Sequence, residues 1–243
     1  MSSVASPPAW GATFNEIQQR GKLIVGVKDN LRPLGFRDTS GNLQGLEIDI
    51  AKRLAEELLG KADAVVLKPV QNLDRLNWVI EDKVDLAIAR VTQNESRLRV
   101  VDLSRPYYMD GTSLITKDAS VKQVSDLSTK AIAVLKSSNT IAIIKYALPT
   151  AKLRGVNSYQ EARTLLENGS ASAFAADASV LTGWVQDYPQ YRLLPAKLSG
   201  EALCIVMPKG LQHTALQERV NQAILRWQAS GWLAERVAAW GLP

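Results

Sequence analysis

Short apolar runs and longer amphipathic stretches alternate along this chain from about residue 22. Lys22–Val27 is a compact apolar run rich in β-branched residues and predicts a buried strand. A turn-rich passage with Asn30, Pro33, Gly35, Gly41 and Gly45 follows. Glu47–Leu59 then sets Ile48, Ala51, Ala55, Leu58 and Leu59 on one helical face, and Gly60 stops it. Ala64–Leu67 predicts a second strand, Leu73–Glu81 a second helix and Val84–Ala89 a third strand. This alternation predicts an α/β fold, a mostly parallel sheet with helices on its faces.

The rhythm restarts at Lys130–Leu135, a strand, followed by helices over Thr140–Ala147 and Ser158–Glu167, the latter ending at Asn168-Gly169. Ala171–Ala176 predicts a strand leading into a helix from Ala178. A third block holds a strand at Ala202–Met207 and helices at Thr214–Gln228 and Trp232–Trp240. Nothing repeats with a solenoid period. The pattern predicts two similar α/β units, one of them completed by the C-terminal block.

Composition narrows the functional classes. A chain of 243 residues can hold two cores, and 46 % hydrophobic with 22 % charged residues is ordinary for a globular protein. No stretch approaches the roughly 20 apolar residues that span a bilayer. A lone cysteine, Cys204, and a lone histidine, His213, allow neither an intramolecular disulfide nor a Cys/His zinc site. His213 reads as a solvated residue, and the tryptophans of the last helices, at helical spacing, as core. The net charge of +5 favours anionic partners. The basic residues are scattered pairs such as Lys52-Arg53, not a stripe interleaved with aromatics, which argues against nucleic acid. Met1–Trp10 lacks a basic start and an apolar run, so it does not read as a signal peptide, and residues 1–20 read as a flexible leader. There is no nucleophile–base pair, metal motif or phosphate loop, so no cofactor, metal or catalytic residue is expected.

Several passages in fixed order carry a resemblance. Gly21–Val27 is similar to a family's first strand, and Gly41-Asn-Leu-Gln-Gly-Leu-Glu-Ile-Asp-Ile-Ala-Lys52 to its glycine-spaced entry into the first helix. Asp102-Leu-Ser-Arg-Pro-Tyr-Tyr108 resembles its D-F-S-x-P-Y passage, with Leu103 for Phe. Ser230-Gly-Trp232 and Ala239-Trp-Gly241 resemble its C-terminal ending. Together, over about residues 20–241, these resemble the periplasmic, or extracellular, amino-acid-binding proteins of ABC importers. Gly169–Asp177, running on to Leu181-Thr-Gly183, and the loop Val91–Arg97 are nearest to the glutamate/aspartate-binding subgroup.

The resemblance implies a two-lobe periplasmic-binding-protein (Venus-flytrap) fold with a two-stranded hinge. Lobe 1 would take residues 21–109 and 200–243, and lobe 2 residues 110–199. It implies a monomer outside the cytoplasm, periplasmic or membrane-associated. Such a protein holds a free amino acid in an interlobe cleft that closes on it and delivers it to the importer's permease.

The resemblance also implies a ligand set. Arg97 would grip the α-carboxylate through two parallel hydrogen bonds, which lysine cannot make, with Thr92 adding a hydroxyl. Asp177 would receive the ammonium; the alternative is a plain helix N-cap. Leu31 and Asn72 stand where relatives for large neutral or basic side chains place stacking aromatics. Nearby are cations instead: Lys28, Arg75 and Arg90. Like charges in one site repel, and an acidic ligand relieves that, so the pattern points to glutamate or aspartate, with glutamine as the third candidate. Alternatively, Arg90 pairs with Glu95, and Arg75 with Asp74 or Glu81. Ser138, Asn139 and Thr140, in the loop Lys136–Thr140, offer hydroxyl and amide groups at a helix start. Tyr159 stands where that subgroup can carry a ligand-contacting histidine.

Two other readings compete. The same fold carries cyclohexadienyl dehydratases, which act on anionic ring substrates. Such an enzyme needs a general acid, and Asp177 is the one acid in position. The fold also serves as the ligand-sensing domain of receptors.

Overall fold

The computed structural model describes residues 12–136 and 138–243. The first eleven residues of the expected leader, and Ser137, lie outside it. In chain order the elements are α1 (Phe14–Arg20), β1 (Leu23–Val27), β2 (Asn30–Leu31), β3 (Gly35–Arg37), β4 (Leu43–Gln44), α2 (Leu46–Leu59) and β5 (Val65–Pro69). There follow α3 (Asn77–Ile80), β6 (Leu86–Thr92), α4 (Glu95–Leu98), β7 (Asp102–Asp110), β8 (Thr112–Thr116) and β9 (Ala131–Leu135). The chain continues with α5 (Thr140–Ala147), β10 (Lys152–Val156), α6 (Tyr159–Glu167), β11 (Ala173–Asp177) and α7 (Ala178–Asp187). It ends with β12 (Arg192–Leu193), β13 (Glu201–Met207), α8 (Thr214–Ala229) and α9 (Trp232–Ala239).

The chain divides into two compact units. Unit 1 takes the chain up to Tyr108 together with Ala202–Trp240, and unit 2 takes Met109–Glu201 and Gly241–Pro243. The sequence division put everything from residue 200 onward in the first lobe. The last three residues group with unit 2 instead, where Lys197 Nζ donates to the Pro243 carbonyl at 2.9 Å.

Unit 1 is built on a five-stranded sheet of order β5-β1-β6-β13-β7. β5, β1 and β6 run parallel, while β13 pairs antiparallel with β6, so the sheet is mixed rather than mostly parallel. The run Leu23–Val27 is an interior strand covered on both faces: Leu23, Val25 and Val27 are fully buried on one, and Ile24 packs on a core cluster on the other. Helix α2 lays Ile50, Ala51, Leu54, Ala55 and Leu58 against the core. Two features depart from the sequence reading. Residues 14–20 form helix α1 rather than a flexible leader: Thr13 and Glu16 make a reciprocal capping box, and Phe14 and Ile17 are buried. The helix expected over Leu73–Glu81 shrinks to Asn77–Ile80, because residues 72–76 fold as turns.

Unit 2 has a second five-stranded sheet, of order β10-β9-β11-β8-β12, with β10, β9 and β11 parallel and β8 and β12 antiparallel. Strand alternation builds two cores. Phe174 and Ala176 of β11 join Ala133, Ile115 and Trp184 on one face; Ala173 and Ala175 join Ile132, Val134, Leu114 and Ile144 on the other. Phe174 is fully buried, worth about 1.5–3 kcal/mol of apolar transfer. Strand β10 escapes the sequence reading because it is an edge strand whose Lys152, Arg154 and Gly155 are exposed.

Among the tryptophans of the last helices, Trp227 is buried and packs on Trp232, as expected. His213 is not solvated. It is fully buried where the chain enters α8.

Candidate functional site

In each unit the candidate residues gather at the C-terminal ends of three neighbouring parallel strands, the usual ligand edge of an α/β sheet. In unit 1 those strands are β5, β1 and β6. Lys28 follows β1, Asn72 and Arg75 lie on the turns after β5, Arg90 and Thr92 end β6, and Arg97 sits on the short helix α4 behind it.

Arg75 is the hub. Its guanidinium donates to the carbonyls of Ala89 (2.8 Å) and Arg90 (2.6 Å) at the end of β6. Burial, then the charges of Arg97 and Arg90, push its pKa down to about 10. Lys28 is buried, with Nζ donating to the Val70 carbonyl at 3.0 Å. Its pKa is lowered by burial and then by Arg75. Arg97 Nη1 donates to both the carbonyl and the hydroxyl of Thr92 at 2.5 Å, while Asn94 caps its helix by accepting Arg97 N–H at 2.9 Å. Thr92 therefore holds Arg97. Asn72 is exposed on its turn.

One member was not foreseen. Glu47 is completely buried, and its Oε1 accepts the Arg90 backbone N–H at 2.7 Å and the Tyr107 hydroxyl at 2.5 Å. Burial raises its pKa, against the opposing pull of Tyr107, Arg90 and Arg75. Its second oxygen, Oε2, has no hydrogen-bond partner. Four cations thus share their surroundings with one buried carboxylate. A signal was present in the sequence: Glu47 falls on the buried stripe with Ala51, Leu54 and Leu58, where an acid has no reason to be unless it is paired.

The alternative surface pairing of Arg75 does not form. Glu81 pairs with Lys83 at 2.6 Å, and Arg75 bonds carbonyl groups rather than Asp74 or Glu81. The Arg90 amide goes to Glu47, with the residue in left-handed backbone at φ +50°.

In unit 2 the strands are β10, β9 and β11. Tyr159 opens α6 after β10, half exposed, with its ring edge on Phe174 (5.9 Å) and Trp184 (6.4 Å). After β9, Ser138 Oγ accepts the Thr140 N–H at 3.1 Å, Asn139 is exposed at the start of α5, and Thr140 is buried. Ser138 is thereby committed to the helix start, and Asn139 makes no capping bond. Asp177 ends β11 as the N-cap residue of α7, yet its side chain makes no capping bond either. Among the described residues no helix is long and apolar enough to cross a membrane, and no His/Cys/Asp/Glu cluster suits a metal.

Comparison with known proteins gives this arrangement a family. Residues 23–243 match the bacterial extracellular solute-binding proteins, family 3. The chain is 36 % identical over 193 residues to a glutamine-binding protein of Geobacillus stearothermophilus, covering 78 % of this chain and 73 % of that one. It is 30 % identical over 232 residues to the ABC transporter glutamine-binding protein GlnH of Bacillus subtilis, covering 94 % and 84 %. Among solved structures it is similar to an ancestral cationic amino acid solute-binding protein, AncCDT-1, with a TM-score of 0.77 and 27 % identity over 94 % of this chain and 99 % of that one. A second structure of AncCDT-1, described as a precursor of cyclohexadienyl dehydratase, gives 0.71 and 26 %, over the same shares of the two chains. With nearly the whole chain matched, the protein belongs to family 3 of the bacterial extracellular solute-binding proteins.

Proposed function

We propose that this protein binds a free amino acid with an acidic side chain, glutamate or aspartate, outside the cytoplasm and delivers it to the permease of an ABC importer. The observation that carries the acidic choice is the cluster of Lys28, Arg75, Arg90 and Arg97 around the single buried carboxylate Glu47. An anionic side chain relieves the repulsion within that cluster, whereas a neutral or cationic one leaves it in place.

The proposed roles are these. Arg97, held by Thr92, takes the α-carboxylate through its guanidinium fork. Arg75, Arg90 and Lys28 supply the field that favours a second carboxylate. In unit 2, Asp177 receives the ammonium, with Tyr159 and the amide and hydroxyl groups of Ser138, Asn139 and Thr140 as further contacts. Asn72, exposed on its turn, has the weakest support.

Glutamine is the second reading, favoured by the names of two relatives that match most of this chain. Thermal unfolding with each amino acid at about 100 times its dissociation constant separates the two, since such a ligand stabilises by about 2.7 kcal/mol. A shift with glutamate or aspartate that Arg97→Ala erases supports the acidic reading. A shift with glutamine alone overturns it. A shift with prephenate and no amino acid makes a dehydratase-like enzyme the better reading.

A further inference from the structure

Helix α7 has the wrong cap. Aspartate is among the preferred N-cap residues because its carboxylate accepts the first unpaired N–H groups of the helix. Asp177 occupies that position with extended backbone, φ −64° and ψ 136°, and makes no capping bond. The first two of these N–H groups are nevertheless taken. The Gly111 carbonyl accepts Ala178 N–H at 2.7 Å. Asp110 Oδ1 accepts Ser179 N–H at 3.0 Å and Gly111 N–H at 2.9 Å, and Asp110 Oδ2 accepts the Ser179 hydroxyl. Asp110 and Ser179 are both buried.

The capping segment is itself held rigidly. A Cβ on Gly111 would stand 2.0 Å from the Ser199 carbonyl oxygen, so only glycine fits there. Next along the chain, Thr112 N–H donates to Ser199 Oγ at 2.9 Å. Asp110 is thus fixed at the end of β7, sixty-nine residues before the Ser179 it caps.

We propose that Asp110 is a positioning residue for ligand binding: by capping α7 from another element, it keeps the Asp177 carboxylate out of the capping role and turned to the ligand's ammonium group. This rests on the reading that Asp177 receives that ammonium. Without Asp110, the residue whose place in the chain suits it to accept those N–H groups is Asp177, the helix's own N-cap residue. Recruited there, it loses its reach to the ligand.

The test is titration calorimetry with the amino acid that stabilises the wild-type protein, on Asp110→Ala, Asp110→Asn, Asp177→Ala and the Asp110→Ala/Asp177→Ala double variant. Asp110→Ala is expected to weaken binding about tenfold. Asp110→Asn keeps an oxygen for the two N–H groups and should stay within about threefold of wild type. The double variant should bind no more weakly than Asp177→Ala, because the two changes act through one carboxylate. A wild-type affinity for Asp110→Ala, or a full additional loss in the double variant, overturns the proposal. Should the alanine variant not fold, Asp110→Asn decides alone: a tenfold loss in that folded protein assigns the effect to charge rather than to capping. If Asp177→Ala binds like wild type, the reading of Asp177 fails instead.

Discussion

The Glu47 carboxylate accepts the backbone N–H of Arg90 at 2.7 Å, tying the first turn of α2 to the end of β6. Arg90 holds φ +50°, a region that non-glycine side chains seldom enter. The bond therefore compensates a strained residue and sets a counter-charge beneath the cations. Glu47→Ala leaves the Arg90 amide and the Tyr107 hydroxyl without their buried acceptor. It should cost about 3 kcal/mol, read as a fall in the unfolding midpoint in denaturant. Glu47→Gln keeps an acceptor oxygen and removes the charge. It should tighten glutamate or aspartate several-fold while leaving glutamine nearly unchanged, as measured by calorimetry.

Arg75 should control the choice of ligand more than the strength of binding. Arg75→Met removes one cation and keeps most of the apolar stem. The ratio of glutamate to glutamine dissociation constants should rise about tenfold. An unchanged ratio would mean that Arg75 serves only the carbonyl groups of residues 89 and 90.

Gly45 should tolerate no side chain. It precedes α2 at φ +127°, and a Cβ there would lie 2.2 Å from the Leu34 carbonyl oxygen. Gly45→Ala must shift the backbone that presents Glu47. The expected outcome is a loss of at least about 2 kcal/mol in stability together with weaker ligand binding. Gly41→Ala, where a Cβ meets nothing, should cost much less, its left-handed φ of +84° being the remaining penalty.

Acid should weaken the fold through unit 2. The Lys117 ammonium and the Tyr191 hydroxyl hold the Glu167 carboxyl at about 2, below its ordinary 4.5. Lys130 and Ser120 likewise hold Asp118 well below the carboxylate range. A lowered pKa gives stability that is present above the unfolded value and is lost as pH falls toward the folded one. Glu47 has the opposite sign: its pKa is raised, so its contribution is greatest in acid and is lost as pH rises. Glu167→Gln should therefore narrow the Tm difference between pH 7 and pH 3, with the change arising below pH 4.5. A Tm difference unaltered by the substitution would remove Glu167 from the account.

The sequence showed where apolar runs and stripes are strong. Thr140–Ala147 is helical from its first to its last expected residue, and Lys130–Leu135 and Ala202–Met207 differ from the observed strands by one residue at one end. It hid elements that depend on partners. β10 has little apolar character of its own and exists because β9 pairs with it, register by register, from Lys152 to Val156. The stretch before Asn77 has helical periodicity but is drawn into turns that bring Arg75 to the β6 carbonyls. Among the site residues, the cations were legible as charges, but acids nearby in sequence, such as Asp74 and Glu95, left their partners open. Glu47 was legible only as an acid on a buried stripe, and Asp110 not at all, because the partner of each lies more than forty positions away.

The split of unit 1 across the chain has a consequence during synthesis. Its sheet places β13 beside β6, pairing Cys204 with Val91, and all of β8–β12 is translated between them. At about 5–20 residues per second, β6 waits on the order of ten seconds with one edge open, while every strand of unit 2 emerges from the ribosome. Strand β7 is the nearest wrong partner for that edge. Unit 2, by contrast, receives all five of its strands in one continuous stretch and can form its sheet before the first unit closes. The later half of the molecule is thus positioned to become structured first.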